Sequence, residues 1–229
     1  MDPIPRARSR AQSSVWWAMA LAGLFAAGCV QSTVRSVKED LVESDSEGRS
    51  TVLDVKIQKY EDLSREYPKE PLYRERLARL HWMNKDHRRA LDCLADARRL
   101  DPENPKYAFL EGTIYAAIGN YRLAEASFQE VLEATDEEFT GPYLQLAEIC
   151  LIQERPDEAL EYLHQCVEVD PRFSSPHYYI GLIHLERKDE AKAVEHFEQY
   201  LRLGGGVYQE EVLQTLASLE PRYRLHHIR

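Results

Sequence analysis

The chain is expected to fold as an all-α solenoid of antiparallel helix pairs, and three observations predict this. Ala90, Ala124, Ala159 and Ala193 recur at separations of 34, 35 and 34 residues, the period of a stacked helix-pair array. The same neighbours accompany each alanine. Upstream lie Leu77-Ala78, Glu111-Gly112, Leu146-Ala147 and Ile180-Gly181, and four residues downstream lie Leu94, Phe128, Leu163 and Phe197. Finally, a helix-stopping residue falls twelve places after each alanine: Pro102, Asp136, Pro171 and Gly205.

The spacing has a physical basis. Two antiparallel helices of about 13 residues and two short turns consume about 34 residues. Small side chains are needed where the helices of a pair cross closely, and bulky ones fill the space between successive pairs. Gly112 and Gly181 on first helices are expected to meet Ala124 and Ala193 on second helices. Asp101-Pro102 and Asp170-Pro171 end second helices. Pro156 falls in a first turn, where its missing N–H costs nothing. Four repeats follow, at 71–104, 105–138, 140–173 and 174–206, with the extra residue between the second and third absorbed in the loop 135–141. Residues 51–70, with Ile57, Tyr60, Leu63 and then Pro68, read as a second helix lacking a clear first: a partial N-terminal repeat. Residues 207–221 hold an amphipathic helix (Val212, Leu213, Leu216, Leu219) stopped by Pro221, which is expected to cap the last repeat. The basic residues 222–229 form a tail.

The segments Leu77-Ala78…Ala90…Pro102, Gly112…Tyr115…Ala124…Phe128, Leu146-Ala147…Ala159…Pro171 and Gly181…Ala193…Phe197 resemble the tetratricopeptide repeat family over about residues 71–206. The first-helix tryptophan usual in that family is missing, and Glu111 stands where a leucine is usual. The resemblance implies a right-handed superhelix whose first helices line a concave, partner-binding face. Carried over position by position, the groove residues are Glu75, Arg79 and Trp82 in the first repeat and Phe109, Thr113 and Ala116 in the second. The third supplies Leu144, Glu148 and Leu151, and the fourth Tyr178, Leu182 and Leu185. Such a groove is charged at its N-terminal end and apolar toward its C-terminal half. It lacks the asparagines with which members of the family bind a peptide carboxylate, and an apolar groove suits an amphipathic helix or hydrophobic strand instead. Phe109 and Tyr178 stand out as aromatic anchors. The apolar positions are equally open to a core role between repeats.

The N-terminus carries a second signal. Arg6, Arg8 and Arg10 precede an apolar run at 15–27, which ends in Ala26-Ala27-Gly28-Cys29. A run of about 13 residues is too short to span a bilayer core of about 30 Å and has the form of a secretory signal. Its end is similar to a bacterial lipoprotein signal, which implies cleavage after residue 28 and lipid attachment at Cys29. Ala26 departs from the leucine usual there. Residues 29–50, rich in Ser, Glu, Asp and Lys, then read as a solvated tether reaching about 25 Å on average. The implied compartment is the cell envelope, facing the periplasm, and Val30 after the cysteine favours the outer over the inner membrane.

Composition bounds the partners. The formal net charge is −10, and loss of residues 1–28 would take it to about −12. So acidic a chain is a poor nucleic-acid ligand and would meet an anionic membrane only through its lipid. Cys93, Cys150 and Cys166 fall at small-residue or core places. Cys150 and Cys166 share one hairpin, where either a disulfide or two buried thiols would fit. No Cys-x-x-Cys and no Gly-x-Ser-x-Gly occurs, so neither a redox or zinc site nor a hydrolase nucleophile is signalled. Glu161…His164 has the spacing of a carboxylate-bridged iron motif but occurs once, where that architecture needs two. Gly204-Gly205-Gly206 is a helix stop rather than a phosphate loop.

These features predict no enzyme, no cofactor and no small-molecule substrate. They predict a non-catalytic scaffold or assembly factor, similar in architecture to lipoproteins of type IV pilus and secretion-channel biogenesis. Two alternatives remain open: a chaperone-like module presenting an unfolded client such as an apo-cytochrome, and a periplasmic metal carrier using His177, His184 and His196.

Overall fold

A computed structural model describes residues 46–220, and Cys29, the expected signal and the basic tail lie outside them. Ten α-helices are described: α1 (Ser46–Glu66), α2 (Pro71–Met83), α3 (His87–Leu100), α4 (Pro105–Ala117) and α5 (Tyr121–Ala134), then α6 (Thr140–Ile152), α7 (Pro156–Val169), α8 (Ser175–Glu186), α9 (Glu190–Arg202) and α10 (Gln209–Leu219). No strand occurs among the described residues. Helices pack as the pairs α2/α3, α4/α5, α6/α7 and α8/α9, and each pair stacks on the next. The result is the all-α superhelical solenoid the period predicts.

Local sequence explains the boundaries. Prolines occupy the first turns of α2, α4, α7 and α8, where no hydrogen bond is lost. The Asp86, Asn120 and Asp189 side chains accept from the backbone N–H groups of Arg89, Leu123 and Lys192 at the starts of α3, α5 and α9, satisfying donors that a helix start leaves open. Between the helices of each pair one residue turns left-handed: Lys85, Gly119, Glu154 and Lys188, with φ of 61°, 80°, 59° and 61°. The following N–H groups of Asp86, Asn120, Arg155 and Asp189 reach back to the carbonyls of His81, Tyr115, Cys150 and His184, the paired closure of a helix C-terminus.

The close crossing inside each pair adds to one expectation. A Cβ added to Gly112 would lie 2.8 Å from the Phe128 ring, and one added to Gly181 would lie 2.6 Å from the Phe197 ring. The atoms nearest each added Cβ thus belong to phenylalanine, one turn beyond Ala124 and Ala193, and the glycine leaves room for that ring. Where the second helix carries Leu94 or Leu163 instead, the first carries Ala78 or Ala147, and all four are buried. The core is a strip of three adjoining clusters running along the stack.

One further placement differs from expectation, and one open alternative is decided. Helix α1 begins at Ser46, so residues 46–50 belong to the helix and not to the tether. Cys150 and Cys166 are free thiols. Cys150 packs in the C-terminal cluster, whereas the Cys166 Sγ points to the Thr140 carbonyl at 3.6 Å. Burial pushes their pKa values up to about 11 and about 12, which makes both poor nucleophiles. Glu111, in the usual leucine place, accepts from the Arg98 guanidinium at 3.0 Å, and Arg98 also pairs with Glu130, tying the first repeat to the second. No described helix is long and apolar enough to cross a membrane.

Candidate partner-binding groove

First helices α2, α4, α6 and α8 carry the expected groove stripe, and its members divide by burial. Glu75, Arg79 and Trp82 on α2 are half-buried, with the Arg79 Nε donating to Glu75 at 2.9 Å. Trp82 packs against the cluster of Ala78, Leu94 and Tyr107. On α4, Phe109 is half-buried between Phe128 and Phe139, with ring centroids 5.6 and 5.3 Å away. Phe139, which precedes α6, is 41% exposed and completes an aromatic patch with Phe109. Leu144 on α6 and Leu182 and Leu185 on α8 are half-buried.

The remaining members belong to the interior. Thr113, Ala116, Glu148, Leu151 and Tyr178 are buried. The Thr113 hydroxyl donates to the Phe109 carbonyl at 2.8 Å, a local satisfaction that keeps it from the surface. Tyr178 is only 2% exposed. The Tyr208 ring stacks on it with centroids 4.2 Å apart and planes 13° apart, and the Tyr178 hydroxyl donates to Glu211 at 3.2 Å. The segment entering α10 thus covers the position at which an aromatic anchor was expected.

Glu148 introduces a group whose chemistry the sequence did not signal. It is buried between the third and fourth repeats, where it accepts from the Tyr179 hydroxyl at 2.5 Å and from the Gln145 amide at 2.7 Å. Burial pushes its pKa up to about 7, against the two hydrogen bonds, which favour the ionised form. The adjacent Tyr178-Tyr179 pair is the only local hint, since one ring of such a pair must point between repeats.

His177, His184 and His196 do come together, but as a stack. The His196 ring lies between the other two, with centroids 5.4 Å from His177 and 5.8 Å from His184, and His177 and His196 place their Nδ1 atoms 3.1 Å apart. Burial, then the neighbouring imidazoles, pushes the His196 pKa down to about 4. Stacked rings do not converge their nitrogens on one point. Among the described residues no group of three or more His, Cys, Asp or Glu side chains is placed to hold a metal ion. Glu161 and His164 are both exposed.

A stack of helix pairs in which each pair packs on the next is the architecture of a helical repeat solenoid. The chain belongs to the tetratricopeptide repeat family, whose model matches residues 57–105, 75–138 and 145–207. Repeats of this family are generally non-catalytic and bind protein partners. The chain is 27% identical over 128 residues to anaphase-promoting complex subunit 3 of Schizosaccharomyces pombe, spanning 56% of this chain but only 19% of that relative. Solved structures share the fold at low identity. MamA is 17% identical with a TM-score of 0.59, over 71% of this chain and 96% of its own. Pseudomonas aeruginosa PilF is 15% identical with a TM-score of 0.59, over 78% and 91%. YrrB, a tetratricopeptide protein with an unusual peptide-binding site, is 20% identical with a TM-score of 0.53, over 73% and 96%.

Proposed function

We propose that this protein is a non-catalytic scaffold of the bacterial envelope. In this reading it is held at the membrane by lipid on Cys29 and binds an apolar peptide or amphipathic helix along its first-helix groove. The observation that carries the binding reading is the accessible apolar stripe of Phe109, Leu144, Leu182 and Leu185 on three successive first helices, joined by the exposed Phe139. Aromatic and aliphatic side chains at one place per repeat offer periodic pockets to an extended or helical partner. The peptide-binding site of YrrB supports such a use of the fold.

Anchoring is supported by the residues before Cys29 and suits a scaffold, because a tether raises the effective concentration of the groove near membrane-bound partners. An assembly role in a pilus or secretion channel fits that geometry. Photoreactive residues at Phe109, Leu144 and Leu182, crosslinked in cells and read by mass spectrometry, test the groove. One envelope protein captured at all three is expected; capture only at convex sites would sink the reading. Cys29→Ser is expected to abolish metabolic labelling with a fatty acid and to release the protein from membranes.

A further inference from the structure

We propose that the first repeat carries a second binding site, separate from the groove: a cavity between α1, α2 and α3 that takes a carboxylate group. Its volume is about 340 Å³. Helix α2 lines it with Arg74, Leu77 and His81, spaced three and four residues apart and so on one stripe of the helix. That stripe is not the one that carries Glu75, Arg79 and Trp82. Helix α3 adds Cys93, and α1 adds Ser64 with the ion pair of Glu61 and Arg65. The period shows why space is left here. One repeat on, Ser64 and Leu77 correspond to Arg98 and Glu111, whose long side chains meet at 3.0 Å across the same seam. Cys93 corresponds to Ser127 in that repeat, to Tyr162 in the third and to His196 in the fourth. His196 is stacked between His177 and His184, the counterparts of Arg74 and His81. The first repeat combines the short Ser64 and Leu77 with the small Cys93, so its seam stays open.

The polar groups that line the cavity keep donors to spare. Arg74 pairs with Asp96 at 3.6 Å, too long for a hydrogen bond. His81 is 4% exposed, and among the described residues no group hydrogen-bonds to its ring. A buried imidazole without a partner departs from the rule that buried polar groups are satisfied. The Glu61 charge is offset by Arg65 at 3.6 Å. Arg74 and His81 thus offer N–H donors and a positive charge, with Leu77 beside them for a short apolar stem, which is the complement of a carboxylate. The charge of the surroundings agrees. Residues 71–104 hold eight Lys and Arg against six Asp and Glu. The second and third repeats hold two against seven each, and the fourth four against five. In an acidic chain, the first repeat is the one with an excess of positive charge, which favours an anion there.

The test titrates the full chain, followed by nuclear magnetic resonance, with two probes that separate the sources of a carboxylate. Sodium butyrate stands for a free acid, and the blocked peptide acetyl-Ala-Glu-Ala-amide stands for an acidic side chain of a partner protein. At least one is expected to bind with a Kd of about 1 mM or tighter, and butyramide and the glutamine peptide are expected not to bind. Binding of butyrate assigns the site to free acids; binding of the peptide alone assigns it to a protein partner. Arg74→Gln is expected to weaken binding at least about tenfold. Cys93→Tyr, which puts the third repeat's residue into the cavity, is expected to abolish it, with circular dichroism confirming that both variants fold. Should either unfold, the wild-type chain gives its own readout. Alkylation of Cys93 by N-ethylmaleimide, located by mass spectrometry, is expected to slow at least about threefold with the probe bound. No binding of either probe at about 10 mM, binding that both variants leave unchanged, or unchanged Cys93 alkylation overturns the proposal.

Discussion

The second and fourth repeats solve the helix-crossing problem differently from the first and third. In the former a glycine on the first helix lies under a phenylalanine ring; in the latter an alanine accompanies a leucine. The two solutions fill the same space, so neither position means anything alone. A glycine in a helix interior costs about 1 kcal/mol in propensity, a cost tolerated here because Phe128 and Phe197 are fully buried in return. Interior volume is conserved across repeats while the residues that supply it trade places, as close-packed cores require.

This comparison breaks most sharply at Gly181→Ala. The new methyl would lie 2.6 Å from a ring that is itself 1% exposed, and the expected cost is about 2–3 kcal/mol. The urea midpoint would record it. Adding Phe197→Leu to that variant is expected to recover at least about 1 kcal/mol, because the pair then matches the first repeat. The reverse change there, Ala78→Gly, is expected to cost only about 1 kcal/mol. Equal losses in the two repeats would show that the pairing does not matter.

The fourth repeat also differs in its buried titratable groups, and these oppose one another. Glu148, packed against Tyr179 of that repeat, has a folded pKa of about 7, above its unfolded value. Its contribution is fully present below the unfolded pKa and is lost as pH rises through about 7. Relative to wild type, Glu148→Gln is therefore expected to gain about 2 kcal/mol between pH 5 and pH 8. Urea midpoints of the two proteins at both pH values check this, and a constant offset would refute it. His196 has the opposite sign. Its folded pKa of about 4 lies below the unfolded value, so its contribution is present above about pH 6.5 and lost as pH falls toward 4. His196→Gln is expected to gain up to about 1 kcal/mol on wild type over that window, allowing for solvent screening and for coupling within the stack. The first repeat has no such stack, and thermal melts at pH 4.5 and 7 would show whether the acid-labile element is the last one.

The smallest expected effects lie at the turns inside each pair. The second repeat places Gly119 in the left-handed position, whereas the others place Lys85, Glu154 and Lys188 there. Each of these changed to glycine is expected to stabilise by about 0.5 kcal/mol, the relief of backbone strain being partly offset by a freer unfolded chain. Gly119→Lys is expected to cost about as much. Differential scanning fluorimetry on the four variants would resolve the sign.

What could be read without coordinates was whatever repeats. Period, small residues and stop signals located all four helix pairs, because helix length and turn chemistry are local properties carried by neighbouring residues. The phenylalanine against each glycine was not anticipated, since linear spacing does not say which side chain of the facing helix reaches the backbone. Half-buried Phe109, Leu144, Leu182 and Leu185 retained accessible surface. Tyr178 did not, because its cover comes from Tyr208, which repeats nothing. Nor could periodicity place Glu148 against Tyr179, or stack His196 between His177 and His184, since these meetings depend on how one helix seats on the next. The sequence by itself determined the elements, their order and their repeat. Only the tertiary structure decided which of the groove positions remain open, because exposure is a property of what packs above a residue and not of the residue itself.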